Sequence, residues 1–464
     1  MNMTIELGTL NPTKREVVDE AKAREELVPT WTALLQEKLA KGDSSVLCHK
    51  IDLSGKSYTP SAAKIIATFL TSTEHFQPCI ASGIKTANLN DIIASQPEKE
   101  ALEVLTTISD AFKESRLEEV DLSDNAMGSK GVTACKTVLS GEAVVDTLKH
   151  LKLCNNGLSQ YTMDEVADLL TEGDSKCIAK NLKTIHFFNN MSDDEGCESF
   201  RKIISCAENL TDVRFSGTRA KAKGSPHITS GLNELAKEGK LNNIVRLDLA
   251  DNSFGDCYED LANALRSCTN LEYLDIHDCC LGDDGIVAVC KALIQAKPPL
   301  KFLSLSGNDI GEESFEGGKS VAKLIGTING TIVSFNASEN ELKSPGIRSI
   351  ARAFKSGTVE EIRLNQNECG SVGAEELMKM ALRLPSLKLI EADANGFLPD
   401  IVDGLQEAFG DKLAEMEDNV DDEDYDDDLD ADDLKDEPDT DSDEDEGEDP
   451  DAEVDALATQ LSQL

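Results

Sequence analysis

A short pattern of apolar and polar positions returns along most of the chain. In LEEVDLSDNAM (117–127) and LKHLKLCNNGL (148–158), apolar residues occupy positions one, four, six and eleven, and asparagine occupies position nine. Apolar residues two positions apart predict a short strand with one buried face. Clear copies begin at residues 244, 271, 300, 332, 359 and 387, looser ones at 182 and 210, and degenerate ones at 48 and 79.

The residues behind the strands predict helices. Two sets of apolar residues have the spacing of one helix face: Ile286, Val289, Cys290 and Leu293, and then Ile347, Ile350, Ala351 and Phe354. We expect Gly285 and Gly346 in the turns that lead into these two helices. Each unit is therefore a strand followed by a helix, which needs neighbouring units to bury its apolar side.

The ninth position defines the type of repeat. Ten such positions, from Asn125 to Asn395, give a mean period of 30 residues. A strand followed by an inward-turning Asn or Cys is the leucine-rich repeat pattern, and 30 residues leave room for a full helix. The predicted fold is an α/β leucine-rich repeat solenoid of the long, ribonuclease-inhibitor-like type, a horseshoe with parallel strands on its concave face. Each Asn carboxamide should bridge backbone groups of neighbouring coils.

Four segments follow from these patterns. Residues 1–45, with the single tryptophan Trp31, are predicted to form a helical leader or cap before the repeats at 46–414. Residues 415–455 hold 26 Asp and Glu but only one basic residue, Lys435, and should be disordered. Residues 456–464 form a short apolar segment.

Charge and composition restrict the partners. The chain has 88 acidic and 45 basic residues, a formal net charge of −43, which disfavours direct nucleic-acid binding and favours a basic protein partner. No apolar run is long enough for membrane insertion. The 13 scattered cysteines and the lack of a signal sequence indicate reduced thiols in a cytosolic or nuclear protein.

The usual catalytic motifs are missing from the sequence. It contains no H-E-x-x-H, no phosphate-binding P-loop and no G-x-S-x-G. His186 and Arg214 fall at outward strand positions, which are more often surface than site. We therefore expect no active site of its own, no cofactor and no metal.

The doublet Asn155–Asn156 raises the question whether one of the two asparagines has a role beyond the repeat structure. Asn156 is a ninth-position residue, whereas Asn155 stands at the eighth position, where the repeat requires no asparagine. The eighth position should lie at an exposed lip, and an ordinary turn residue is one interpretation of Asn155. The same position is acidic in four other repeats: Asp124, Asp251, Asp278 and Glu339. These carboxylates are either a solvated edge or a surface that attracts a basic protein partner.

A long-repeat solenoid followed by an acidic tail resembles the Ran GTPase-activating proteins. The segments ANLNDIIASQPEKEALEVL (87–105), LDLADNSFGD (247–256), FFNNMSDDEG (187–196) and SENELKSPG (338–346) look most like the plant and algal branch. The resemblance implies a GTPase activator whose asparagine, at Asn155 here, orients the GTPase's own catalytic residues without an arginine finger. Many members have arginine in the loop IASQPE, where this chain has Gln96.

The resemblance also implies the partners. They are Ran in its GTP form, which binds the nucleotide and Mg²⁺ itself, and a Ran-binding protein in a ternary complex. The partner-binding residues should include Gln96, Lys152 and the four acidic lip residues. The location should be cytoplasmic, with the nuclear envelope as an alternative.

Three other interpretations stay open. One is an acidic leucine-rich repeat binding protein, similar to a histone chaperone and without GTPase-activating activity, although its repeats would be shorter. Another is a ribonuclease-inhibitor-like scaffold, which should contain far more cysteine. In the third, the fold is kept but the activity is lost, with Gln96 as the sign of that loss.

Overall fold

The computed structural model describes residues 5–40, 48–74, 77–172, 177–355 and 357–419. The predicted acidic tail beyond residue 419 and the predicted segment 456–464 lie outside these ranges. All 13 cysteines fall inside them, as free thiols.

One parallel sheet runs through the described part of the chain. Thirteen strands pair in the order β1-β3-β5 and then consecutively from β6 to β15, while β2 and β4 form a separate parallel pair. The strands are β1 (Ile5–Leu7), β2 (Glu16–Val18), β3 (Cys48–Asp52), β4 (Lys56–Tyr58), β5 (Thr86–Asn88), β6 (Glu119–Asp121), β7 (His150–Lys152), β8 (Thr184–His186), β9 (Asp212–Arg214), β10 (Arg246–Asp248), β11 (Tyr273–Asp275), β12 (Phe302–Ser304), β13 (Ser334–Asn336), β14 (Glu361–Arg363) and β15 (Leu389–Glu391).

A helix follows nearly every strand of this sheet, and consecutive helices pack against one another. The helices are α1 (Glu20–Lys22), α2 (Val28–Ala40), α3 (Pro60–Thr71), α4 (Glu98–Ala111), α5 (Gly128–Ala134), α6 (Lys136–Leu139), α7 (Gln160–Thr171), α8 (Asp193–Cys206), α9 (Ser225–Lys237), α10 (Tyr258–Leu265), α11 (Gly282–Ala296), α12 (Glu316–Ile328), α13 (Lys343–Ala353), α14 (Ser371–Ala381) and α15 (Pro399–Phe409). Within the described ranges, no helix is both long and apolar enough to span a bilayer. The predicted α/β solenoid with parallel strands is confirmed.

Two glycines lie inside helices and not in the turns before them. Gly285 belongs to α11 and Gly346 to α13, so the predicted turn positions are wrong. A Cβ at Gly318 of α12 would lie 2.9 Å from the Cα of Gly346. Gly318 and Gly346 therefore allow the backbones of α12 and α13 to approach closely, and a Cβ at Gly285 would lie 3.3 Å from Cβ of Tyr258 on α10.

The ninth-position residues form a buried ladder. Asn125 donates through Nδ2 to the carbonyl oxygens of Leu89 and Leu122, both at 2.8 Å, and its Oδ1 accepts from the amide of Ile92 at 2.9 Å. The side chain thus joins its own coil to the preceding one, as predicted. All ten predicted ladder residues are buried: Asn125, Asn156, Asn190, Thr218, Asn252, Cys279, Asn308, Asn340, Asn367 and Asn395.

The two ends of the solenoid differ from the sequence-based segments. Strand β1 pairs with β3, so the sheet begins within the predicted leader. Asn419 accepts hydrogen bonds through Oδ1 from the amides of Asn395 and Phe397, so the ladder continues past residue 414. The copy predicted to begin at residue 79 is displaced, since Ala87, at the centre of β5, pairs with Val120.

Candidate partner-binding site at the ends of the strands

The eighth positions share an unusual backbone conformation. Their φ angles are positive: 59° at Asp124, 51° at Asn155, 52° at Asn189, 55° at Asp251, 50° at Asp278 and 56° at Glu339. This left-handed region favours Gly, Asn and Asp, because other side chains crowd the following carbonyl. The fold therefore does favour asparagine at the eighth position through the backbone, which the repeat pattern alone does not reveal. We call this set of eighth-position residues the lip row.

Asn155 is exposed, and its side chain is held on both sides. Its Nδ2 donates to Oδ1 of Asp124 at 2.8 Å, and its Oδ1 accepts from Nδ2 of Asn189 at 3.2 Å. Its backbone amide donates to the carbonyl of Phe188 at 2.8 Å. A carboxamide offers two N–H donors and two acceptor lone pairs. One donor and one lone pair therefore remain for a partner.

Asn156 has the opposite environment. It is fully buried, donates through Nδ2 to the carbonyl of Leu122 at 3.1 Å, and accepts through Oδ1 from the amide of Asn125 at 3.0 Å. The doublet thus consists of one buried ladder residue and one exposed lip residue with spare hydrogen-bonding capacity.

The bonds around Asn155 extend over four coils. Asn90 donates through Nδ2 to Oδ2 of Asp124 at 2.6 Å, and the chain continues through Asn155 to Asn189. Sequence reasoning missed Asn90 and Asn189 as members of the site. The sequence did contain a signal for Asn189, because Asn189–Asn190 repeats the asparagine doublet one repeat further on.

Gln96 and Asp124 line one groove next to this chain of bonds. The side chain of Gln96 is directed back to the preceding coil, where its Nε2 donates to Oγ of Ser57 at 2.9 Å. Ser57 in turn donates to the carbonyl of Ala94 at 2.6 Å. Ser57 of the preceding coil therefore holds the Gln96 side chain and bridges it to the carbonyl of Ala94 in the loop of Gln96.

Lys152 lies on the strand face, three residues before Asn155. Its Nζ lies 3.4 Å from Oε1 of Glu119 and 3.8 Å from Oδ2 of Asp121 on the neighbouring strand. The Lys152 side chain is about one-third exposed and accompanies two carboxylates, so these three side chains together are negative.

The other acidic lip residues lie further along the same edge. At about 4.8 Å per strand, Asp251, Asp278 and Glu339 stand roughly 14, 19 and 29 Å from Asn155. All three are exposed. Partial burial and the nearby carboxylates of Asp251, Asp275 and Asp309 raise the pKa of Asp278, while His277 opposes that shift. The structure thus places Asp124 against Asn155 and spreads the other three over later coils.

The strand face carries aromatic, arginine and histidine side chains, of which sequence reasoning considered only His186 and Arg214, as surface positions. The guanidinium carbon of Arg214 lies 3.7 Å from the ring centroid of Phe188. The Nε2 of His186 lies 2.8 Å from Oδ1 of Asp212. Two strands further on, Tyr273 and Phe302 stack with their ring centroids 4.1 Å apart. In the sequence, aromatic residues at outward strand positions were the signal for this stacked pair.

The strand–helix coils, the buried ladder and the exposed lip define a leucine-rich repeat protein. The Leucine Rich repeat family model matches residues 116–134 and 267–290. A relative is RAN GTPase-activating protein 2 of Arabidopsis thaliana, 31% identical over 362 residues, which cover 78% of this chain and 62% of the relative.

The chain is also similar to proteins of other classes. NACHT, LRR and PYD domains-containing protein 9C of Mus musculus is 25% identical over 334 residues, covering 67% of this chain and 32% of that protein. The chain spans less than two thirds of the length of either relative. A chain of the yeast Rad7 and Elc1 complex superposes with a TM-score of 0.48 at 15% identity, over 84% of this chain and 95% of that one.

Proposed function

We propose that the chain activates GTP hydrolysis by the small GTPase Ran. The plant relative that is similar over most of the chain supports this assignment by its name. The structural observation that carries it is the carboxamide of Asn155, exposed on the lip and held between Asp124 and Asn189. A group fixed in this way can orient a side chain of a bound partner without reorganising first.

In this mechanism the chain positions a catalytic side chain of Ran and adds no positive charge to the site. The side chains bonded to Asn155 are a carboxylate and an amide, and the neighbouring Gln96 is neutral. The free N–H and lone pair of Asn155 bind a catalytic side chain of Ran, such as the glutamine that aligns the attacking water. The GTPase itself holds GTP and Mg²⁺, whose charges stabilise the transferring phosphoryl group.

The acidic lip residues serve the encounter with the partner. Asp124, Asp251, Asp278 and Glu339 present exposed carboxylates along one edge. Complementary charge accelerates association with a basic surface, and salt weakens this effect. A cytoplasmic location and a ternary complex with a Ran-binding protein belong to the same proposal.

Single-turnover hydrolysis of GTP by Ran tests the assignment. The wild-type chain should accelerate hydrolysis by several orders of magnitude, as other GTPase activators do. Asn155→Gly removes the carboxamide but keeps a residue that adopts the left-handed backbone, and it should abolish most of the acceleration. Asn156→Ala should keep the activity and lower the thermal unfolding temperature, because it removes a buried ladder bond.

Each result has a clear meaning. Wild-type acceleration that survives in Asn155→Gly would contradict the role of Asn155 but keep the class of activity. Failure of the wild type to accelerate hydrolysis would instead favour an acidic leucine-rich repeat binding protein without GTPase-activating activity.

A further inference from the structure

Three side chains lie in line across the strand face. Arg246, Tyr273 and Phe302 occupy the same position of β10, β11 and β12, paired in register. The guanidinium carbon of Arg246 lies 3.7 Å from the centroid of the Tyr273 ring. The Tyr273 and Phe302 rings stack at 4.1 Å with 4° between their planes. One end of the aromatic pair is therefore already covered by a guanidinium group.

The other end of the stack meets a small residue. Phe302 pairs in register with Ser334 of β13, and Ser334 pairs with Glu361 of β14. A serine side chain is too short to cover a phenyl ring. Since strands are about 4.8 Å apart, the backbones at Phe302 and Glu361 lie roughly 10 Å apart. The Glu361 carboxylate reaches back to within 3.2 Å of Oγ of Ser334, so the free face of Phe302 borders a short serine and a carboxylate and not another ring.

The charges beside this ring face favour a cation. Glu361 is 42% exposed and accepts hydrogen bonds from Oγ of Ser334 at 3.2 Å and from Nη1 of Arg363 at 3.0 Å. Arg363 also donates through Nη1 to Oγ of Ser334 at 3.5 Å and through Nε to Oε1 of Glu391 at 3.2 Å, so two carboxylates accompany one guanidinium. The exposed carboxylates of Asp278 and Glu339 stand at the ends of the neighbouring strands. The surroundings are negative overall.

We propose that Phe302, Ser334 and Glu361 form a slot for an arginine side chain of a basic protein partner. The incoming guanidinium stacks on the free face of Phe302, as Arg246 does on Tyr273, and donates to Glu361. A planar cation suits this site better than a lysine ammonium, because it can stack and form directional hydrogen bonds together. This inference goes beyond GTPase activation and does not depend on it.

Binding of short peptides to the full chain tests the slot. The probes are an isotope-labelled peptide containing arginine, its lysine counterpart and its phenylalanine counterpart, each titrated with NMR detection. The arginine peptide should bind most tightly to the wild type. Phe302→Leu, which removes the flat ring face, should weaken that binding by roughly five- to tenfold.

A second variant fills the slot from within. Ser334→Arg places a guanidinium beside Phe302 and should abolish arginine-peptide binding. Thr86→Arg adds the same charge at the same strand position of β5, eight strands before Ser334 and away from Glu361, and should reduce binding only slightly. Thermal unfolding checks that each variant is folded.

Several outcomes would overturn the proposal. One is equal binding of the arginine and lysine peptides to the wild type. Another is equal loss of binding in Ser334→Arg and Thr86→Arg, which would indicate non-specific charge attraction. Stronger binding of the phenylalanine peptide would assign the slot to an apolar side chain instead.

Discussion

At the scale of single residues, the side chain of Asn155 is held by its neighbour Asp124. The carboxylate accepts from Nδ2 of Asn155 at 2.8 Å and from Nδ2 of Asn90 at 2.6 Å. Asp124→Gly removes this acceptor but tolerates the φ of 59°. If Asp124 positions Asn155, the maximal single-turnover rate of Ran should fall about tenfold, as expected for a lost hydrogen bond to a charged group.

A conservative variant separates positioning from charge. Asp124→Asn keeps one oxygen acceptor for Asn155 but removes the negative charge, so it should restore most of the maximal rate. Asp251→Gly, which changes an equivalent lip residue four coils from Asp124, should leave the maximal rate unchanged. Equal losses in Asp124→Gly and Asp251→Gly would point to general disturbance of the lip row and not to positioning.

Residue identity predicted the ladder but not the lip conformation. Asn156 could be assigned from sequence because the repeat fixes a buried carboxamide at the ninth position. The left-handed backbone at Asn155 could not be assigned, since it depends on the path of the chain between strand and helix. Asn90 and Asn189 join the site only through contacts between coils, which no single repeat contains.

At the scale of elements, a buried lysine joins the N-terminal segment to the first coils. Lys56 occupies the ninth position of the degenerate repeat that begins at residue 48 and is 1% exposed. Its Nζ donates to the carbonyl oxygens of Asn11, at 2.8 Å, and Lys14. It also lies 3.7 Å from Oε1 of Glu16 on β2. A cationic ladder residue thus supplies hydrogen-bond donors to the backbone carbonyl groups of the loop between β1 and β2.

Lys56→Met should therefore destabilise this end of the molecule. The variant leaves two carbonyl groups without their donor and removes one of the two ammonium groups beside the partly buried Glu16, which keeps Lys22, at a cost of about 2–4 kcal/mol. Urea unfolding measures the cost, and hydrogen exchange should show faster exchange between residues 5 and 22. The exposed Lys64, paired with Glu103 at 2.6 Å, provides the control, because Lys64→Met should cost less than about 1 kcal/mol. Equal costs would contradict the role of Lys56.

Elements with strong periodicity were predictable, and elements defined by neighbours were not. The three-residue spacing of Ile286 and Val289 was sufficient to predict helix α11. Strand β5 was misplaced because its residues, Thr86–Asn88, lack a strong apolar alternation, while the apolar residues before it form the turn Ile80–Gly83. The glycines of α11 and α13 were misplaced because their role is contact between helices.

At the scale of the whole molecule, the excess of 43 negative charges does not by itself favour the lip over any other surface. The structure supplies that distinction, because Asp251, Asp278 and Glu339 are exposed on one edge beside the proposed partner site. If these charges guide the partner, their effect should depend on position as well as number. The Debye length of about 10 Å at 0.1 M salt limits the effect to nearby groups.

A matched pair of triple variants tests this dependence. Neutralising the lip residues as Asp251→Asn, Asp278→Asn and Glu339→Gln should slow association with Ran in its GTP form several-fold at low salt, with little change in the maximal single-turnover rate. The control removes three exposed charges from helices α7, α8 and α15, as Asp164→Asn, Glu198→Gln and Asp403→Asn. Stopped-flow association over a range of salt concentrations should show a weaker salt dependence only for the lip variant. A similar slowing in both variants would assign steering to the net charge of the chain, and the lip carboxylates would then be a solvated edge.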